Sequence, residues 1–457
     1  MSATEIKHCE LVQPAIHPKG LKTKVLLCSV FGPYGQDDEY GSRKLNPMEL
    51  YHNQVTRTQG AFSLRMFHRS WGLMMIQANI NAPCVLLDFP TLERFVEELC
   101  AHSYDVVGIS SIIPNTFKVK KMCELIRKHQ PHAKIVVGGH IANMPDLAEI
   151  INADHIVRGD GINWFRRYLG QDPSAPLKHP LITSGFGVRN CGLKFAEKLG
   201  DVAATIIPSV GCPRGCDFCS TSAMFGGKGH SVRFYKTGQE LFSVINQVAD
   251  SLHVRSFFIM DENFLLYRKA AMELLSCMEA YGKSWSFYIF TSADVLSKNY
   301  TIDELLRLGV SWVWMGVEGK NSHYEKLAGV DTLELVKNLQ ANGIHVLGSS
   351  IIGFDHHSID NIAQVIARAV EHDTDFHQFM LYTPLAGTPL YARLSAEGRM
   401  RNKSEFALPD IHGQSILNYR HPNFSDQQTA EIMIRAFDED FRINGPSVVR
   451  IVRTMLA

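Results

Sequence analysis

Three cysteines fall within eight positions of the segment GCPRGCDFCS, at Cys212, Cys216 and Cys219. The spacing is C-x3-C-x2-C, and Pro213 and Gly215 between them favour a tight loop that lets the sulfurs converge. Thiolates grouped this way hold either tetrahedral zinc or an iron–sulfur cube. Zinc needs a fourth ligand, for which His230 is the nearest candidate, but zinc sites usually repeat a C-x2-C pair and no second pair follows here. A cube held by three thiolates keeps one iron open to a small molecule.

The elements that position this loop read as alternating strands and helices. In the first third, 23–31, 83–89, 104–113, 133–140 and 154–161 are short, nearly continuous apolar runs, as expected of parallel strands covered on both faces. Residues 91–102 and 116–130 have helical periodicity, and Pro131 stops the second. This alternation predicts a doubly wound, Rossmann-like α/β domain over 1–164. The proline-bearing stretch 165–200 reads as a linker. From 201 the alternation restarts with strands at 202–210, 254–260, 285–292, 310–317, 344–353 and 376–384, separated by helices at 237–252, 268–281, 301–308, 331–342 and 358–371. Six such units over 201–395 predict a partial (β/α)6 barrel of the TIM type, whose chemistry belongs at the C-terminal strand ends. The cysteines follow the first of these strands. A helical tail is expected over 396–457, with Ser425 and Gln428 as a capping box. Residues 42–82 form a long insertion, in which 62–80 is amphipathic and rich in Met and aromatics. It reads as core, or as a cover between domains lining an apolar substrate pocket.

The chain has 457 residues, with 46 Lys+Arg against 46 Asp+Glu, and 45% are apolar. The balance of charge argues against nucleic acid as a partner. The N-terminus lacks an apolar signal region, and no run approaches the ~18 apolar residues of a membrane span. The expected location is therefore cytoplasmic, where thiols stay reduced. Cys28, Cys84, Cys100, Cys123 and Cys277 fall in strand or helix patterns and read as small buried residues.

Cys212, Cys216, Phe218 and Cys219, placed after the first strand of six β/α units, resemble the signature of the radical S-adenosylmethionine (SAM) enzymes. The doubly wound domain in front resembles a cobalamin (B12)-binding domain, a pairing that marks one subgroup of that family. The resemblance covers roughly 23–395. It implies a [4Fe–4S] cluster on the three cysteines, with SAM bound at the open iron. Reductive cleavage then yields a 5′-deoxyadenosyl radical that attacks an unactivated carbon, with cobalamin-dependent C-methylation first and cyclisation, coupling or rearrangement as alternatives. It also implies a small-molecule or lipid-like substrate and an electron donor such as flavodoxin or ferredoxin. A non-catalytic zinc module is the reading from another class.

Residue by residue, the resemblance places Phe218 beside the cluster and the adenine. Where relatives carry Gly-Gly-Glu, this chain has Asp261 and Glu262, so either carboxylate is a candidate for the SAM ammonium. Glu318 matches a position on the ribose or carboxylate side, and Gly348, Ile352 and Gly353 match the segment packing on adenine. In the front domain Ser110 and Ile112, then Gly138 and Gly139, match elements that hold the cobalamin nucleotide tail. The loop at 32–41 lacks the cobalt-binding histidine of some cobalamin domains, and His140 reads as a satisfied loop residue.

Overall fold

The computed structural model describes residues 14–32, 39–46, 48–49, 51–65, 69–184, 189–190, 193–194, 203–318, 324, 327 and 329–457. Positions 33–38 of the histidine-free loop, Gly319, and much of 185–202 in the expected linker lie outside them.

The first domain is a five-stranded parallel sheet: β1 (Val25–Ser29), β2 (Cys84–Leu87), β3 (Val106–Ser110), β4 (Lys134–Gly138) and β5 (His155–Ile156), in spatial order β2-β1-β3-β4-β5. Alternate residues feed two cores. Leu26, Ile109 and Val137 pack with Phe95 and Met122 of helices Leu92–Ala101 and Thr116–His129. Val25, Leu27, Val106 and Val136 pack on the other face against Leu73, Trp164 and Phe165. The sheet is thus doubly wound, and its order reverses between β1 and β3, where such sheets bind ligands beyond the strand ends.

Two expectations shift. The domain does not end at 164: helix Gly161–Tyr168, capped by Asp160, packs Trp164, Phe165 and Tyr168 into the sheet, so the linker begins after it. The expected amphipathic stretch 62–80 is α-helical over Trp71–Asn79, after a π turn at Tyr51–Val55 and a 3-10 turn at Gly60–Phe62, and its Met74 and Met75 join Ile162 of the first domain to Ile207 of the second.

The second domain has six parallel strands in sequential order: Ala204–Ile206, Ser256–Ile259, Ser286–Phe290, Val310–Gly316, His345–Ile352 and Phe376–Leu381. Sequential order with helices on one side curls the sheet into an open barrel rather than a doubly wound layer. The run 202–210 is not one strand. Pro208 lacks an N–H for the ladder, so Ser209–Val210 leaves the barrel and pairs antiparallel with Val232–Arg233. Val313, Met315 and Val346 face the helices, while Trp312, Trp314 and Leu347 share a cluster in the lumen. In the tail, helix Asp426–Asn444 starts at the Ser425–Gln428 capping box and packs Met433 and Phe437 on the barrel. The last helix, Ser447–Met455, is pinned by the buried pair Arg450–Asp440 (2.8 Å). No helix among the described residues is long and apolar enough to cross a membrane.

Candidate active site

The cysteine loop leaves the short Ser209–Val210 strand and ends in helix Ser220–Met224. Two glycines fix its path. Gly211 (φ +83°) and Gly215 (φ +64°) adopt left-handed backbone, and a Cβ on Gly215 would sit 2.5 Å from the Lys228 backbone. Ser222 Oγ donates to the Cys212 carbonyl (2.7 Å), and the Ser222 amide donates to Cys219 Sγ (3.4 Å). All three cysteines are half-buried and outside any disulfide. Burial pushes Cys212 up to about 11, helped by the nearby Cys219, Cys216 and Glu262, and raises Cys219 likewise. Such a trio ionises only when a cation compensates it. Among the described residues no three His, Cys, Asp or Glu side chains close on a single-ion site. His230 is exposed and its Nδ1 donates to the Lys228 carbonyl. With His230 so placed, the loop offers three thiolates, the donor number of a cluster with one open iron rather than of a closed tetrahedral zinc site.

Three contacts that sequence reasoning missed hold this loop. Asp217, between the second cysteine and Phe218, accepts from the hydroxyls of Tyr324 (2.9 Å) and Tyr382 (3.1 Å). Phe218 meets the edges of the same two rings at 5.2 and 6.0 Å. Arg214 pairs with Asp294, beyond the third barrel strand. The loop is thereby tied to the ends of strands three and six. Asp217 and Tyr382 lie 165 residues apart, so no local pattern could announce their pairing.

The two neighbouring carboxylates are separated by their partners. Asp261 is buried and occupied: Ser209 Oγ donates to Oδ2 (2.5 Å) and the Asn263 amide to Oδ1 (2.9 Å). Burial and the adjacent Asp261 hold Glu262 up at about 7. Among the described residues its Oε2 is buried with no hydrogen-bond partner, while a backbone hydrogen bond from Gly211 to the carboxyl opposes that rise. An orphaned carboxylate oxygen near the cysteines is what an ammonium group would satisfy. Glu318 is also buried, at the end of strand four.

Other expected residues are placed differently. Ile352 packs outward with Ile362, Ile366 and Phe379, and a Cβ on Gly348 would meet Thr374 and Val317, so both belong to the barrel wall. Gly353 does sit at the strand end with φ +91°, its N–H donating to His357 Nδ1 (3.1 Å) and its carbonyl accepting from Tyr419 (2.8 Å). Cys100 is exposed, because its helix turns Phe95 and Leu99 inward instead.

In the first domain, Ser110 and Gly138 end adjacent strands in register. Gly139 (φ +82°) has no room for a side chain: a Cβ would lie 2.5 Å from the Ser111 carbonyl. Ile112 is half-buried just beyond β3. His140 follows, and its Nε2 lies 3.1 Å from Thr221 Oγ1, two residues past Cys219. The carboxyl ends of the two sheets therefore face one another across this contact. Ser110, Gly138 and Gly139 lie at that edge, beside the switch between β1 and β3 where sheets of this kind would hold a cobalamin tail.

Comparison with known proteins agrees with this architecture. Residues 58–169 match the B12 binding domain and residues 206–369 the radical SAM superfamily. An uncharacterized methyltransferase of Pyrococcus horikoshii is 23% identical over 371 residues, covering 73% of this chain and 78% of that protein. Bacteriochlorophyllide d C-12(1)-methyltransferase of Chlorobaculum tepidum is 27% identical over 321 residues, covering 64% of this chain and 66% of that protein. Among solved structures, the radical SAM methyltransferase TsrM from Kitasatospora setae, with cobalamin and a [4Fe–4S] cluster bound, shares the fold. Its TM-score is 0.56 at 12% identity, covering 92% of this chain and 89% of that one. With a B12-binding domain turned towards a radical SAM barrel that carries the cysteine triad, the chain belongs to the radical SAM enzymes with an N-terminal B12-binding domain.

Proposed function

We propose that this protein is a cobalamin-dependent radical SAM methyltransferase acting on an unactivated carbon of a small organic molecule. The observation that carries the reading is the His140–Thr221 contact, which turns the strand ends of the B12-binding domain onto the cysteine loop. When bound, the cluster, SAM and cobalamin supply one-electron cleavage, a radical and a transferable methyl group.

The protein's own residues bind, orient and shield. Cys212, Cys216 and Cys219 present three thiolates on a loop held rigid by Asp217, Arg214 and Ser222. Glu262 offers its orphaned oxygen to the SAM ammonium, while Asp261 keeps that strand end in shape. Glu318 and the Gly353 turn line the far side of the same mouth. Ser110, Ile112, Gly138 and Gly139 hold the nucleotide tail at the facing edge. Flavodoxin or ferredoxin is the class of electron donor that fits.

The test is anaerobic purification with hydroxocobalamin, followed by absorption spectra, iron and zinc analysis, and SAM product assays. A brown iron–sulfur chromophore, retained corrinoid, and both S-adenosylhomocysteine and 5′-deoxyadenosine are expected. Cys212→Ala should abolish 5′-deoxyadenosine. A sound cluster without retained corrinoid would replace methylation by radical cyclisation or coupling. Zinc without iron would end the radical reading.

A further inference from the structure

The barrel carries a cavity at the end opposite the cysteines. It encloses about 460 Å³ and is ringed by residues at or just before the strand starts: Ala203, Ser256, Ser286, Ser311, His345 and Phe376. That volume lies within the range of small-ligand sites. Tyr51 and Leu64 of the insertion cover one side, and Ile451 and Met455 of the last helix form the mouth.

Two features describe what would fit. Several polar groups on the wall already have partners. Ser286 and Ser311 share a hydrogen bond (2.7 Å), and His345 is bonded to Asp375 (3.0 Å) while Trp312 stacks on its ring at 4.3 Å. The remaining wall is aromatic and aliphatic, with Phe376 against Trp312 at 5.4 Å and Tyr51 at 5.0 Å. Hydrocarbon is the occupant that needs no hydrogen bond and recovers the dispersion contacts an empty void forfeits. The rim is cationic. Arg65, on the cavity wall, pairs with Glu49 (3.1 Å), and exposed Arg255 adjoins Ser256 of the ring. Two guanidiniums thus stand at the rim with Glu49, whose pKa burial raises.

Polar side chains cross the lumen between the cavity and the cysteine end. Trp314 donates to Ser349 (2.8 Å), Ser349 to Gln378 (2.8 Å), and Gln378 to Gln54 of the insertion (2.7 Å), a belt of hydrogen bonds across the lumen. Beyond the mouth the last helix exposes Val449, Val452, Met455 and Leu456, at 57%, 52%, 68% and 81%. These residues share one side of the helix and continue the apolar surface out of the cavity.

We propose that this cavity is a second binding site, taking the hydrocarbon chain of an anionic amphiphile of the long-chain carboxylate class, with its head at the arginine rim. The occupant stays outside the radical chemistry, because the polar belt lies between.

Titration of the holoenzyme with cis-parinaric acid, a fluorescent long-chain carboxylate, tests this. A saturable rise corresponding to about one site per chain is expected, unaffected by excess SAM. Ile451→Trp, which fills the mouth, and Met455→Asp, which charges it, should each weaken binding by about tenfold or more with iron content and Tm unchanged. The methyl ester should bind more weakly than the acid. No saturable signal, full affinity in both variants, equal affinity of the ester, or displacement by SAM would overturn the proposal. Displacement by palmitate alone identifies a free carboxylate, and displacement also by phosphatidylglycerol vesicles identifies a membrane lipid. Displacement by neither overturns the assignment.

Discussion

His140 and Thr221 lie 3.1 Å apart, one at the end of a strand in the B12-binding domain and the other at the start of the helix that Cys219 caps. Burial lowers the pKa of His140, so the bond is made by a neutral ring. Each domain thereby limits how far the other's reactive edge can move.

Loosening this joint should uncouple the two halves of the reaction. Thr221→Val removes the hydrogen bond at about 1 kcal/mol. The expected outcome is a lower ratio of methylated product to 5′-deoxyadenosine, measured by mass spectrometry, with iron content unchanged. An unchanged ratio would show that the contact is only packing.

Asp217 should matter more than its lack of direct ligation suggests. Asp217→Ala leaves the Tyr324 and Tyr382 hydroxyls without their shared acceptor, a loss of about 1–3 kcal/mol for each buried polar group. Lower Tm and poorer iron retention are expected, with partial recovery in Asp217→Asn.

Asp261 and Glu262 should separate in a double comparison. Glu262→Gln should weaken SAM binding by about tenfold, through loss of a charge-assisted contact, with little change in Tm. Asp261→Asn should instead lower Tm, because it weakens the bonds from Ser209 and Asn263. Calorimetric binding and thermal melts of both variants check this. The reverse pattern would exchange their roles.

Acid should loosen the turn at Gly353. Burial, with help from His356 and His421, lowers His357 from 6.5 to about 4, while its Nδ1 accepts the Gly353 N–H. The unfolded chain takes up this proton first, so the contribution is complete above about pH 6.5 and falls as pH drops towards 4. Its full size is about 3 kcal/mol. Melting curves between pH 7.5 and 5 should fall more steeply for the wild type than for His357→Asn.

Several features were readable because they depend on near neighbours. The strand runs, the capping box at Ser425 and the cysteine spacing are local patterns, and the structure keeps them. Errors arose where a local pattern met a distant constraint. The run at 202–210 broke because Pro208 cannot extend a ladder. Cys100 followed a helical pattern but lies on the outer side of its helix. Gly348 and Ile352 stood in the right strand, yet alternation along it turns them towards the helices.

The amino-acid order alone determined the two-domain α/β plan and the three thiols, because both are written in spacing along the chain. The choice of Glu262 over Asp261, the Asp217–Tyr382 tie, the joint at Thr221 and the cavity beneath Trp312 were decided only by folding. Each depends on side chains brought together from distant positions, and burial, partner and charge at such a meeting are properties of the packed molecule.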